Sequence, residues 1–473
     1  MAGTPAEVAA GVARALFGCA PAVVVANANR PAAVAAAVPL AEQAHAPLLL
    51  SSPLAAVATS TAAYGGSVAG GRQARLTASV NAVALREIND LRPRSILAVG
   101  LTTGDLGTEM PGANVTTDPA GFAGMSQPAW HGRVAVLVPT GGSAAAMAAE
   151  ATAEAAGATV VPVHGYDPRG DAATIAALCR IRPRQVIAAG GGFGPASLLV
   201  SRLAVVRTGV QLPGGGQLVV PTHRLVALYG APGTPSLGVL GQQGAQASIT
   251  RARHAAAAYR SVSAVPAVPA FELIATVATA AAGSDGSYSY QTPVSSLLPW
   301  VQAASKAGLY VILDLQPGRD NFLAQAKVYQ SLLRLPNVGL ALDPEWRLQP
   351  GQLPLQQIGS VAVTEVNSVV SWLGQLTARG RLPQKLLVLH QFRTGEIGSE
   401  QLLDTHDDDV AIVMNMDGQG TPSTKQQTWD AVTSAAPPGV SFGWKNFYAK
   451  DQPVLSPSQT MSRTPAPVFI SYE

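Results

Sequence analysis

Tandem parallel-sheet α/β units followed by a TIM-barrel-like (β/α) domain are the fold class this sequence predicts. Three observations predict it. Over the first 250 residues, short apolar runs rich in β-branched residues alternate with Ala-rich helical stretches, the mark of parallel strands covered on both faces. Within that region a segment of about 100 residues recurs. From Phe271 onward the βα alternation continues, and ionisable residues stand at the ends of the strand candidates, where a (β/α) barrel carries its site.

Ala22-Val23-Val24-Val25-Ala26 reads as a buried strand, 31–45 as a helix and Ala46-Pro47-Leu48-Leu49-Leu50-Ser51 as a second strand. A polar, Gly-rich stretch follows, then a helix near 82–91 and a strand at 95–100. Val134–Val138 repeats the first strand, 143–156 the helix and 157–162 the second strand. Leu91-Arg92-Pro93-Arg94 aligns with Ile181-Arg182-Pro183-Arg184, and in each copy Pro closes a helix. The expected units are 1–125 and 126–250. Residues 193–265 read as a junction rich in Gly and Pro, and 262–270 as an extended linker. The barrel is expected over 265–473, with strands at 271–277, 310–315, 338–342, 386–390, 410–415, 441–447 and 468–472. That is one short of eight, so the barrel is incomplete or one strand is too weakly written to see. Helices are expected at 294–306, 322–333, 361–378 and 425–434.

Composition excludes several functions. Hydrophobic residues make up 48% and charged residues 12%, about half the usual share of charge, which rules out disorder. Lys and Arg number 31 against 28 Asp and Glu, a net charge of +3 with no basic cluster, so nucleic acid is not an expected partner. Mean hydropathy is +0.22, yet no apolar run is long enough for a transmembrane segment. The N-terminus has no charged segment leading into an apolar one, so no signal peptide is expected within this sequence. Cys19 and Cys179 read as two buried thiols or as a disulfide joining the first two units. They lack metal-ligand spacing, and no metal is expected. Gly190-Gly191-Gly192-Phe193-Gly194 lacks the Lys-Ser/Thr ending of a phosphate loop and reads as a turn. Asp407-Asp408-Asp409 reads as a solvated turn. No cofactor is expected.

The chemistry is expected in the last third. Glu272, Asp314, Asp343, Glu345, Glu365, His390, Gln391 and Asp417 stand at or near strand ends. Asp343 and Glu345, two apart on an extended segment, would point the same way, and two converging carboxylates are what glycoside hydrolysis needs. Asp343 and Glu345 are the expected catalytic pair, with Asp314 and Asp417 in support. Glu272, His390, Gln391, Arg319 and Lys445 are expected to bind substrate. Trp346, Trp372, Trp444, Tyr288 and Tyr448 are candidate platforms for sugar rings. Any one carboxylate can instead cap a helix or pair with an Arg, and His390 alone can be a hydrogen-bonded core histidine.

Two resemblances add to this. Val23-Val24-Val25-Ala26, the small-residue helix over 32–40 and Ala46-Pro47-Leu48-Leu49-Leu50 resemble the type 2 cell-wall-binding repeats of Gram-positive surface proteins, with Asn27-Ala28-Asn29-Arg30 where that family carries an acidic residue. The second unit is equally comparable with type I periplasmic binding lobes. From about Leu225 onward, the chain resembles an actinobacterial family of uncharacterised secreted proteins and lipoproteins. The residues that carry this likeness include Leu228-Tyr229-Gly230, Pro269-Ala270-Phe271-Glu272, Asp314-Leu315-Gln316-Pro317-Gly318-Arg319, Leu342-Asp343-Pro344-Glu345-Trp346, Leu389-His390-Gln391-Phe392, Asp417-Gly418-Gln419-Gly420 and Trp444-Lys445-Asn446-Phe447. The resemblances imply an extracellular or cell-wall-associated protein whose leader lies outside this sequence. They imply wall-binding repeats joined to a glycoside-hydrolase-like barrel, with cell-wall polysaccharide or peptidoglycan as partner. The alternative is a non-catalytic protein that holds a wall polymer or small ligand. A third reading is a sensor with its ligand between the two repeated units.

Overall fold

All six residues of Ala22–Asn27 are buried. Small and β-branched side chains without a polar group before Asn27 suit a strand covered on both faces. The computed structural model describes residues 3–52, 82–107, 112–128, 130 and 133–473; the Gly-rich stretch expected after the second strand falls mostly outside the described residues. Ala22–Asn27 lies between Leu48–Ser51 and Ser95–Val99 in a parallel sheet that Asn114–Thr116 extends. Val134–Pro139 holds the same place in a second parallel sheet, between Thr159–Val163 and Gln185–Ala188.

The duplication therefore appears in the topology, and it reaches single residues. Arg92 and Arg182 both take left-handed backbone, with φ of 53° and 46°. Each ends a helix before Pro. The following Arg94 and Arg184 donate backbone N–H to Pro21 and Arg133, just ahead of the two central strands. Alanine sets the helix packing: Ala37 and Ala41 of Pro31–Gln43 share a buried cluster with Ala148 and Ala151 of Ala144–Ala155. Buried Thr152 accepts from Leu48 N–H and donates to Leu48 carbonyl, satisfying both backbone groups of that residue. Cys19 and Cys179 are both free and Cys19 is exposed. This corrects both the disulfide and the paired burial expected of them. Gly191–Phe193 is a single 3-10 turn.

The two sheets belong to one compact unit, Met1–Gly209, and the barrel to another, Val210–Glu473. The barrel strands are β1 (Arg224–Gly230), β2 (Ala267–Ala278), β3 (Tyr310–Leu315), β4 (Val338–Leu342), β5 (Lys385–Gln391), β6 (Val410–Met416), β7 (Ser441–Asn446) and β8 (Phe469–Tyr472). Each pairs in parallel with the next, and β8 pairs with β1. The barrel is complete and closed. The strand missing from the expected count is β1, which lies in the stretch read as a junction.

The expected linker is also corrected, since its last four residues open β2. Val265-Pro266 and Val268-Pro269 suggested a stiffened, extended linker. At Pro269, however, only β1 runs alongside, as Val226; β3 joins from Ala270 onward. A proline at the start of a strand forfeits no bond to the second neighbour. Helix Val294–Lys306 has the expected bounds. The helix expected over 322–333 is broken into Phe322–Val328 and Gln330–Leu333. The one expected over 361–378 is Val363–Gly380.

Side-chain alternation builds the interior. Ala227, Ala270, Ile312, Ala341, Val388 and Val413 belong to the apolar cluster inside the barrel. Two residues further along the same strands stand Tyr229, Glu272, Asp314, Asp343, His390 and Asn415. All six are buried. The period that fills the barrel with hydrocarbon thus turns polar at its C-terminal mouth. The opposite faces of the strands, such as Leu273, Leu313 and Leu389, pack outward in a cluster with the surrounding helices.

Candidate active site

The mouth holds a cavity of about 750 Å³, lined among others by Asp343, Glu345, Trp346, Asp417, Lys445 and Tyr229. That volume is in the usual range for ligand sites. Asp343 follows β4 directly. Glu345 sits on the 3-10 turn Pro344–Trp346, so the extended segment expected here is a turn. The turn nevertheless brings the two carboxylates together. One oxygen from each of Asp343, Glu345 and Asp417 lies within 4.8 Å of the others. Arg347 pins the turn from behind, with Nε 3.1 Å from Glu365 Oε1. Glu365 also accepts Phe322 N–H at 2.8 Å. It therefore has the capping and pairing role, outside the cavity.

Asp417 follows β6, and its N–H bonds the Gln391 carbonyl at 2.8 Å. Its loop is anchored by the buried Lys425–Asp451 pair. Asp451 accepts Gly420 N–H, and Lys425 donates to the Lys445 carbonyl. On β7 the position facing inward beside Asn415 is Gly443, since a Cβ there would sit 2.4 Å from Asn415 Oδ1.

Beneath the cavity runs a row of charged groups. His390 Nε2 is 2.9 Å from Glu272 Oε1, and Nδ1 is 3.4 Å from Asp417 Oδ2. Lys445 Nζ is 3.2 Å from Asp417 Oδ1 and 2.9 Å from Glu473 Oε2. It also lies 3.6 Å from the centre of the Tyr229 ring. Tyr229 Oη donates to Asp314 Oδ2 at 2.8 Å. Glu272 Oε2 and Asp314 Oδ1 have no donor among the described residues.

These neighbours split the carboxyl groups. Burial raises Asp417, but Lys445 and His390 outweigh it and hold the group below the usual carboxylate range. Burial pushes Glu345 up to about 7, with Asp417 adding to the shift. Burial pushes Asp314 up to about 6. It also raises Asp343 well above the ordinary value, helped by Glu345 and Asp314. Burial lowers His390, yet Glu272 and Asp417 prevail and keep the ring protonated. Lys445 likewise keeps its proton against burial, held by Asp417 and Glu473. Nearby Glu396, buried in the loop after β5, is pushed up to about 8.

The structure thus gathers Asp343, Glu345, Asp417, Asp314, Glu272, His390, Lys445 and Trp346 at one mouth. It does not bring the other expected residues there. Gln391 turns to Glu400, donating at 3.1 Å. Arg319 bonds the Gln352 carbonyl and lies over Tyr288. Trp444 is fully buried against Trp429. Trp372 lines grooves on the outer helices, and Tyr448 stacks on Tyr472. Tyr229, Asn415 and Glu473 are the site residues that sequence reasoning missed. Alternation from Ala227, Val413 and Phe469 was the signal for them. Comparison of the chain with models of known protein families gives no match, and comparison with curated proteins gives none.

Proposed function

We propose that the protein is a cell-envelope protein, extracellular or wall-associated, whose barrel hydrolyses a wall glycan by a retaining mechanism. The observation that carries this is the split between Glu345 and Asp417. Two carboxyl groups that bring one oxygen each to within 4.8 Å of the other are pushed in opposite directions, which is how one site obtains an acid and a nucleophile. Retaining enzymes hold such a pair about 5–5.5 Å apart, and inverting ones about 6.5–9.5 Å.

Asp417 attacks the anomeric carbon while Glu345 gives its proton to the departing glycosidic oxygen. The sugar is then an ester of Asp417. Glu345, now a carboxylate, takes a proton from water, and the water oxygen displaces Asp417 from the anomeric carbon. Asp417 leaves as carboxylate and Glu345 regains its proton. His390 and Lys445 hold Asp417 ionised and aimed; protonated Asp343 donates to the substrate. The repeat-like first unit supplies the wall attachment, a reading supported by Val23–Ala26 and Ala46–Leu50. Among the described residues no helix is long and apolar enough to cross a membrane.

A binding protein without catalysis is the second reading, favoured by the contact of Lys445 with Asp417. One experiment separates the two. The parent and Glu345→Gln are incubated with purified wall polysaccharide and with isolated peptidoglycan, and released reducing ends are counted. Glu345→Gln is expected to lose about 10²–10⁴-fold in rate, the worth of a general acid. A parent that frees no sugar from any fraction ends the hydrolase reading; retention of polymer by that same protein supports the second.

A further inference from the structure

A second cavity, of about 630 Å³, opens beside the first. Ile274 and Val277 of β2 line both, so the two meet along one strand at the barrel mouth. Their chemistry differs. The first is walled by carboxylates and Lys445, whereas none of the described residues lining the second is charged. Tyr290 stands in its wall with 59% of its surface exposed. Trp300 lies beside it, half-buried, braced edge-on by Phe271 with ring centroids 5.9 Å apart. Gln243 also lines it, and its Nε2, shielded from water, has no partner among the described residues. The unpaired atoms under the first cavity, Glu272 Oε2 and Asp314 Oδ1, are acceptors. The shielded atoms left over thus differ in kind: acceptors under the first cavity, a donor at the second.

We infer that the second cavity is a subsite for a further, uncharged sugar unit of the same glycan. That unit carries an N-acetyl group whose carbonyl accepts from Gln243 while its ring lies on Tyr290. The inference rests on the glycan reading of the carboxylate site. A charged unit would lose its hydration there with no counter-charge to replace it. An amide carbonyl repays the buried Gln243 donor. The apolar face of a pyranose is a natural partner for an open aromatic ring. Each cavity alone is within the ligand-site range, so the pair suits an oligosaccharide.

The test is calorimetric binding of N-acetylglucosamine oligomers of two and six units, and of glucosamine oligomers of the same lengths, to the parent and to Glu345→Gln. The acetylated hexamer is expected to bind at least tenfold more tightly than the dimer, and the deacetylated hexamer to lose that gain. Tyr290→Ala, a change at an exposed ring, should bring the hexamer to the affinity of the dimer and leave the dimer unchanged. Gln243→Leu should weaken only the acetylated hexamer. Equal affinity for the two lengths, an equal loss on both in Tyr290→Ala, or no binding of either overturns the inference. The outcomes separate from those of the function itself. A protein that cleaves wall glycan but binds both lengths equally keeps the hydrolase reading and loses this one. Length-dependent binding through Tyr290 without cleavage does the reverse.

Discussion

Each end of the barrel buries a lysine, and the two ends treat it in opposite ways. Lys385 opens β5 at the N-terminal end, where its Nζ donates to the carbonyls of Leu335, Pro336 and Val338. Carbonyl oxygens satisfy its donors without supplying a full negative charge, and burial lowers its pKa to about 7. Lys445 is as deeply buried at the mouth, between Asp417 and Glu473, and its pKa is raised. Burial is common to both, so the neighbouring carboxylates make the difference. One end accommodates a charge by letting it go. The other holds charges in place around the cavity, the preorganisation that the proposed catalysis would require.

The largest expected effect breaks the mouth. Lys445→Met leaves Asp417 and Glu473 without their shared cation, next to Tyr229. Removing one partner of a buried pair costs about 3–5 kcal/mol, read as a lower urea midpoint. The folded pKa of Lys445 is above its unfolded value. Its contribution is therefore complete below about 10.4, the ordinary lysine value, and is lost only above that. The titration of Lys445 itself therefore adds no pH dependence to the loss between pH 7 and 10. Removing its charge lets Glu345, at about 7 in the parent, rise further, so the loss grows as pH climbs past 7 and then levels off. A loss under 1 kcal/mol would show that the mouth does not depend on fixed charge.

Lys385→Met is the smaller change and carries a different pH signature. Between about 7, its pKa in the folded protein, and about 10.4 the unfolded chain binds a proton that the folded chain has released. Stability of the parent therefore gains from this group as pH rises through that window. Lys385→Met should remove that slope. It should cost about 1–3 kcal/mol near pH 10, where carbonyls lose a neutral donor, and less near pH 7. Urea unfolding of both variants across that window checks the pair. Parallel curves for the two lysines would erase the contrast between the ends.

Much of this barrel was legible in the sequence, because strands buried on both faces are written in β-branched and leucine runs. The bounds of β3 and β4 follow from Tyr310–Leu315 and Val338–Leu342 alone. β1 was lost to punctuation: Arg224–Gly230 runs straight into Gly230-Ala231-Pro232-Gly233, and turn residues masked a fully buried strand. The site was legible at the level of strand ends but not of faces. Trp444 and Lys445 are adjacent on β7, and adjacent strand residues face opposite ways, so only one of them can enter the barrel. The same holds for His390 and Gln391. Applying that alternation would have removed Trp444 and Gln391 and admitted Tyr229. What no local pattern could supply is the meeting of Glu345 with Asp417, which depends on barrel closure and on the turn at Pro344.

The subtlest expected effect is on the pH profile of the proposed glycan cleavage, and it ties that chemistry back to the two lysines. Glu345 must carry its proton to act as acid, and its pKa is pushed up to about 7. Activity should fall about tenfold per unit above that point. Asp417 must be ionised, and Lys445 and His390 hold its pKa below the usual range, so the acid limb should lie below about pH 4. Lys445 lowers both groups. Taking its charge away in Lys445→Gln should move both limbs to higher pH together, measured on the folded variant at low temperature. Lys385→Met, at the far end of the barrel, should move neither. An alkaline limb that stays fixed in Lys445→Gln would mean that Glu345 is not the proton donor. A limb that moves in Lys385→Met would mean that the two ends do not act separately, because a charge lost at the closed end would be felt at the open one.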